Sequence, residues 1–458
     1  MEKKRLLKGP IWKGLLLFAI PTFFVYLSTY IYNATDFFIL YLAGAEHEIS
    51  AVMSALTPIT LCTSILSGLS VGGTFLIGQY YGAQDKENTR KSIMTFTIFI
   101  GILSTVLAII IAIFAKPIVQ ALNIDPTLEE KAIRYLLIQC ITVPFIGLVY
   151  IVNAAFRGTG NSVFPFIYTC SGIVFNIIYD VIFIYFMKMN SDGAALACVL
   201  SYVTSTIGAF IYIFGFKLKG KQIGKITLDW LTVKRIVKFS WTLAMQEAMV
   251  TISFIVLVVV INLRGPAASE VIAISDRITN IAYVPAISIG LAVEAAVAQN
   301  LGAYQIDRTK KIVWMGIIYI AVLTLVYALP ITFLSEKFAD LYTDNPWIAQ
   351  QVYYRCLIIG FDLLLCIFLT PFNNLASGSG HGNWALYCYL ASDILIRIPM
   401  IIITGLAGLD IWIVTISYPA STILGLIILI IFYKSNKWKN LKRLPVTQDI
   451  LSEINENK

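Results

Sequence analysis

Histidine is almost missing from this sequence, with two residues in 458, and the seven cysteines form no C-x-x-C pair. Zinc and iron sites draw heavily on those two side chains, so no resident metal is expected. Charge is scarce as well. Asp, Glu, Lys and Arg make up 13% of the residues, against about 25% in a soluble domain. No G-x-x-x-x-G-K-[S/T] stretch occurs, which excludes a pump driven through a P-loop. No metal-ligand spacing and no nucleophile–base pattern stands out, so neither an enzyme nor a cofactor is expected. The cysteines, at 62, 140, 170, 198, 356, 366 and 388, fall in apolar runs and read as small packing residues.

Apolar sequence is what the chain has in abundance. Its residues are 58% hydrophobic, and the mean hydropathy is +0.80. Twelve apolar runs lie near residues 12–43, 48–80, 92–115, 133–156, 162–187 and 194–216, then 239–263, 269–300, 312–334, 350–376, 384–404 and 411–433. Many approach the roughly 20 residues that cross a bilayer as a helix. The expected fold is all-α: a polytopic membrane protein with 12 transmembrane helices in two six-helix lobes. The N-lobe spans 1–216, a basic linker 217–238, the C-lobe 239–433 and a polar tail 434–458. The first run is too long for a signal-peptide core and reads as retained.

The net charge of +8 does not suggest nucleic acid, because the basic residues gather in short loops and at the termini. Met1–Lys13, Gln84–Lys91, Arg157–Ser162, Lys217–Lys238, Gln305–Lys311 and Lys434 onward carry Lys or Arg, and Ser377–Asn383 falls on the same side. The opposite loops hold Glu46, Glu48, Asp125, Glu129, Glu130, Asp192 and Asp344. That bias places both termini in the cytoplasm and the chain in the cell (inner) membrane, multi-pass; a monomer is expected.

The halves repeat at an offset of 220 residues. Gln79, Gly82 and Ala83 match Gln299, Gly302 and Ala303; Thr89 and Lys91 match Thr309 and Lys311. Pro126 matches Pro346, and Asn153, Gly158 and Gly160 match Asn373, Gly378 and Gly380. Six spans per half is an even number, so both halves enter the membrane in the same direction. They should be related by a pseudo-twofold axis along the membrane normal, with a cleft between two rocking lobes.

Asp36 is the leading functional candidate, because a carboxylate deep in a membrane span costs roughly 3 kcal/mol or more unless it faces a cavity. Its neighbours Tyr32, Asn33 and Thr35 are polar too. Tyr32, Phe37 and Tyr179 are the rings marked as candidate ligand contacts, although most rings in such a chain face lipid or core. Pro21 lies upstream of Asp36 and frees a carbonyl, so it is either a gating kink or a static one. Asp276 and Glu294 share a face of the eighth span but lie roughly 27 Å apart along it, too far for one site. Glu294, the nearer to the basic loops, reads as gating or packing. Arg157 ends the fourth span, where dipole and orientation both favour positive charge. Arg397 can pair with Asp393 one turn earlier.

Tyr32-Asn33-x-x-Asp36, Gly68-Leu69-Ser70-Val71-Gly72 leading to Gln79-Tyr80-Tyr81-Gly82-Ala83, and Arg157-Gly158-Thr159-Gly160-Asn161 resemble the multidrug and toxic compound extrusion (MATE) transporters over about residues 12 to 433. Ala292-Val293-Glu294-Ala295 and Asn176-x-x-x-Asp180 look like the DinF-like branch. The resemblance implies secondary active efflux of organic, often cationic, amphipathic small molecules by antiport with H⁺ or Na⁺. It also implies an N-lobe cation site at Asp36, Asn176 and Asp180, with the Ala194 carbonyl and position 198 nearby. Asn176 and Asp180 share a helix face. Two carboxylates and an amide could hold Na⁺ with hard oxygens or share a proton. Cys198 stands where the family often has threonine, and a thiol is a poor ligand for a hard cation, which tilts the expectation towards H⁺. In the C-lobe, the resemblance to NorM-type members points to Glu247 and Asp362 as cation- or drug-binding carboxylates. Each is out of register by up to a turn, so a plain polar contact stays open. A lipid-linked oligosaccharide flippase of the wider superfamily is the alternative, but it would line its cleft with basic residues for phosphate.

Overall fold

The computed structural model describes residues 6–7, 9–42, 56–121, 129–210, 229–340, 343 and 345–439. Of 31–42, 57, 121, 210, 239 and 266 it describes the backbone alone. Twelve helices are long and apolar enough to cross a membrane, and no strand occurs among the described residues. The first six are α1 (Ile11–Leu42), α2 (Pro58–Gly82), α3 (Lys86–Ile113), α4 (Glu129–Gly158), α5 (Val163–Phe186) and α6 (Asn190–Ala209). The second six are α7 (Ser240–Asn262), α8 (Ala267–Gly302), α9 (Ile306–Phe333), α10 (Pro346–Gly378), α11 (Gly382–Leu406) and α12 (Ile411–Lys434). This is an all-α, two-lobed membrane protein. The expected second run began near 48, but residues 43–55 lie outside the described ones.

Burial separates inner helices from outer ones. On α3, Ile102, Val106, Ile109 and Ile113 are exposed at helical spacing, while Phe96, Ile100 and Ser104 on the other face are buried. One apolar face therefore meets lipid and the other the lobe core. The central helices are α2 and α8, 67% and 78% buried along their most apolar stretches, whereas α5 and α11 are each 22% buried. Equivalent helices of the two lobes thus take equivalent depths.

The repeat holds at the level of single hydrogen bonds. Ala83 N donates to Gln79 O at 2.9 Å and Ala303 N to Gln299 O at 3.0 Å. Asp85 N donates to Tyr80 O at 3.0 Å and Gln305 N to Asn300 O at 2.8 Å. Gln84 and Tyr304, 220 apart, both take positive φ, 61° and 58°. A Cβ on Gly158 would meet Ile77 and the Thr74 carbonyl, and one on Gly378 would meet Val297 and the Glu294 carbonyl. The same turn recurs although Gln84 and Tyr304 differ in type, with the flanking Gln, Gly and Ala kept in both halves.

The lobes meet along α1–α8, α2–α7 and α2–α8. At the end carrying the basic loops, α2 and α8 cross backbone to backbone. A Cβ on Gly82 would lie 2.1 Å from the Gln299 carbonyl oxygen, and one on Gly302 2.3 Å from that of Gln79. Gln299 Nε2 crosses the interface to donate to Gly158 O at 2.8 Å. The N-terminal segment is fastened there too, with Asn300 Nδ2 donating to Leu6 O at 3.0 Å and Arg308 to Gly9 O at 2.9 Å.

The stretch read as a linker, 217–238, is outside the described residues up to 228, but its last part is already helix. That helix runs Trp230–Asn262, with α7 as its apolar, membrane-crossing part, and begins at a cap. The Asp229 carboxylate accepts from Thr232 N at 3.1 Å and from the Thr232 hydroxyl, and Lys91 lies 3.2 Å away. These contacts hold the Asp229 carboxyl below its ordinary pKa, the Thr232 bond foremost. A depressed folded pKa stabilises fully above the ordinary aspartate value near 4 and is lost as pH falls through the folded one. Asp229→Ala is expected to cost about 1 kcal/mol at neutral pH, typical of a lost N-cap. The difference from wild type should vanish in strong acid, as thermal unfolding across pH will measure.

Candidate functional site

Two polar clusters are buried in the spans, one in each lobe. In the N-lobe, Asn176 and Asp180 are 2% and 1% exposed on one face of α5. With its nitrogen turned to the carboxylate, the Asn176 amide donates to Asp180 Oδ2 at 2.9 Å, and its oxygen accepts from Cys198 N at 3.2 Å. Ala194, one turn before Cys198 on α6, is buried, and Cys198 is half-buried. Directly after Asp180 the helix widens into a π segment, Val181–Phe186. Such turns recur at functional positions because they break the regular ladder of carbonyls.

The side chains of Tyr32, Asn33, Asp36 and Phe37 lie outside the described residues, but their helix backbone is described. α1 packs on α5, and Ser28 Oγ lies 3.9 Å from Cys170 Sγ. From that contact, at about 1.5 Å per residue, the Asp36 backbone is roughly 12 Å along, between Asn176 at roughly 9 Å and Asp180 at roughly 15 Å. Helix register thus brings the Asp36 backbone to their level.

Tyr179 is on a different face of α5, stacked between Phe175 and Phe183 and 3.0 Å from the Thr204 hydroxyl. Pro21 is half-buried inside α1. Glu294 is 2% exposed, and its Oε1 has no hydrogen-bond partner among the described residues. It feels the charges of Arg157 in the other lobe and of Glu247.

Glu247 is half-buried on α7 at the lobe interface. One turn on, Thr251 lies 3.0 Å from Ser64 of α2. Tyr150 of α4 and Tyr389 of α11, one from each lobe, are within electrostatic range of Glu247, as Tyr26 of α1 is of Tyr150. A carboxylate with half-buried tyrosines of three other helices in range suits an organic cation. Sequence reading chose Tyr32, Phe37 and Tyr179 instead. Nothing in the spacing marked Tyr150 or Tyr389, since their meeting depends on lobe packing.

The C-lobe cluster is ionic. Asp362 is 3% exposed and accepts from Tyr283 Oη at 2.6 Å, while its Oδ1 has no hydrogen-bond partner among the described residues. Arg355, 1% exposed, donates to Asp276 Oδ1 at 2.7 Å and to the Ser275 hydroxyl. Arg397 pairs with the fully buried Asp393 at 3.2 Å, as its i, i+4 spacing predicted, and donates from Nε to Ser421 Oγ at 3.0 Å. Removing one member of a buried pair strands its partner. Arg355→Met is expected to cost about 3–5 kcal/mol, and Arg355→Met with Asp276→Asn distinctly less. Thermal unfolding of both in detergent will measure it.

The MatE family profile matches residues 21–182 and 243–403, once in each lobe. The chain belongs to the MatE family. MATE relatives span nearly the same length. The probable multidrug resistance protein YoeA of Bacillus subtilis is 26% identical over 325 residues, 68% of this chain and 69% of its own. The multidrug export protein MepA of Staphylococcus saprophyticus is 23% identical over 434 residues, 93% of this chain and 94% of its own. Among solved structures, a MATE transporter in complex with MaL6 has TM-score 0.86 at 20% identity, covering 97% of this chain and 100% of that one. An outward-facing MATE multidrug resistance transporter of the MOP superfamily has TM-score 0.83 at 19% identity, covering 97% and 99%. At those identities the structures show a shared MATE fold.

Proposed function

We propose that this MATE transporter exports amphipathic organic cations by antiport with H⁺ or Na⁺, both termini lying in the cytoplasm. The observation that carries the reading is the pairing of Asn176 with Asp180, sealed in α5 at the level of the Asp36 backbone. A membrane-buried carboxylate is retained where it does work. Asp36, Asn176 and Asp180 take the coupling ion, with the Ala194 carbonyl beside them. Cys198 meets Asn176 through its backbone N–H rather than as a hard side-chain ligand, so H⁺ is the favoured ion. Glu247 faces the substrate, with Tyr150 and Tyr389 closing round it, and Tyr32, Phe37 and Tyr179 are further aromatic candidates. Asp362, bonded to Tyr283, is the second substrate-side carboxylate. Pro21 and Glu294 serve gating, Glu294 by sensing Arg157 across the α2–α8 crossing.

Coupling follows when ion and substrate favour opposite states of the cleft. The closed α2–α8 crossing, on the side with the basic loops, is the cytoplasmic barrier of one such state. Equilibrium binding of a fluorescent organic cation to purified protein tests the substrate side. Glu247→Gln is expected to weaken binding about tenfold or more, since a charge contact desolvated against aromatic faces is worth about 2 kcal/mol. An unchanged affinity would remove Glu247 from the site.

A further inference from the structure

The 220-residue repeat gives every N-lobe position a C-lobe counterpart, and the neighbourhood of Asn176 has an unexpected one. Cys198 and Ser201 on α6 correspond to Tyr418 and Ser421 on α12. On the preceding helix the offset changes by one. The π segment of α5 begins only after Asp180, whereas that of α11, Leu390–Arg397, ends at Arg397. A π turn takes up one extra residue. Arg397 is therefore the counterpart of Asn176, at 397 − 176 = 221.

The contacts match. In the N-lobe, Asn176 reaches across to Cys198 of α6. In the C-lobe, Arg397 lies 4.7 Å over the ring of Tyr418 and donates to Ser421 on α12. A positive group thus stands in one lobe where a neutral amide stands in the other. It is held as a bound cation would be held, by the Asp393 carboxylate, a hydroxyl and an aromatic face, with Asp362 and Tyr283 in electrostatic range. Arg355 pairs with Asp276, whereas Arg397 pairs with Asp393 and has Asp362 in range, whose Oδ1 has no hydrogen-bond partner among the described residues.

We infer that Arg397 is a tethered internal cation, occupying in the C-lobe the place that corresponds to the coupling-ion place of the N-lobe, so that only one lobe exchanges ions. That the N-lobe place takes the coupling ion rests on the proposed function; that the C-lobe place is a monovalent-cation site filled by its own arginine does not. Truncating the side chain should vacate the site and leave two buried carboxylates facing it. A soluble cation of the same shape, ethylguanidinium, should then enter.

The experiment is calorimetric titration of ethylguanidinium into purified full-length protein in detergent. Wild type, Arg397→Ala, and Arg397→Ala combined in turn with Asp180→Asn and with Asp393→Asn are compared. The expected result is no saturable binding to wild type and a single saturable site in Arg397→Ala. That site should persist with Asp180→Asn and weaken about tenfold or more with Asp393→Asn. No binding to a folded, monodisperse Arg397→Ala overturns the inference, and so does binding that Asp180→Asn abolishes, because the ion would then be in the N-lobe. A separate failure, unchanged ion coupling in Asp180→Asn alone, would strike the N-lobe reading and leave the C-lobe site standing. Should Arg397→Ala not fold, export by Arg397→Lys and Arg397→Gln decides. Lys retaining activity that Gln loses supports a charge role, and equal loss in both overturns it.

Discussion

Asp180→Asn is expected to abolish gradient-driven export while leaving the protein folded. The substitution keeps the shape of the side chain and still lets it bond Asn176. What it removes is the charge. At about 4 Å and an effective dielectric near 20, a carboxylate and a monovalent cation attract by about 4 kcal/mol, roughly three orders of magnitude in affinity. Neither H⁺ nor Na⁺ replaces that attraction at an amide. Binding of an organic cation near Glu247 should survive, because Glu247 is on α7 and Asp180 on α5. The check is paired: substrate binding in detergent, retained, and uphill transport in proteoliposomes, lost. Transport within about twofold of wild type would move the coupling site elsewhere.

Gly82→Val and Gly302→Val should be as damaging by a different route. At either position a first side-chain carbon would sit inside contact distance of a backbone carbonyl on the opposite helix, 2.1 or 2.3 Å from its oxygen. Backbone in a central helix cannot swing aside as a flexible side chain can. Overpacking of this kind costs about 1–3 kcal/mol and occasionally more, and here it also pries apart the crossing of α2 and α8. Each variant is expected to lower the melting temperature and to expose residues such as Gln79 and Gln299 to water-soluble labels after cysteine replacement. Gly101→Val is the control: among the described residues no atom beyond its own stretch of helix lies within 4 Å of the added carbon, so it should behave as wild type. Equal melting temperatures for all three would deny the close crossing.

Sequence alone carried the architecture far, for a physical reason. Membrane spans need long apolar runs, and turns joining them need glycine or another residue tolerant of positive φ, so both leave marks in one dimension. The repeat at Gln79–Ala83 and Gln299–Ala303 was legible as letters and recurs as matching hydrogen bonds. The Arg397–Asp393 pair was legible because four residues is one helical turn. Arg355–Asp276 was not: the partners lie on α10 and α8, 79 residues apart, and no periodicity tells which faces will meet. Tyr283 with Asp362, and Tyr150 and Tyr389 in electrostatic range of Glu247, were hidden for the same reason. The start of the seventh helix at Trp230 was masked by basic residues that look like a loop, although the Asp229–Thr232 cap was there to be read.

Uphill movement of a fluorescent organic cation in proteoliposomes, under an imposed pH gradient or an imposed Na⁺ gradient, tests antiport most directly. The expected result is accumulation driven by one gradient, with H⁺ the favoured ion, collapsing when that gradient is dissipated and absent in Asp36→Asn. Accumulation indifferent to both gradients, or no movement by folded protein under either, would contradict ion-coupled export of organic cations.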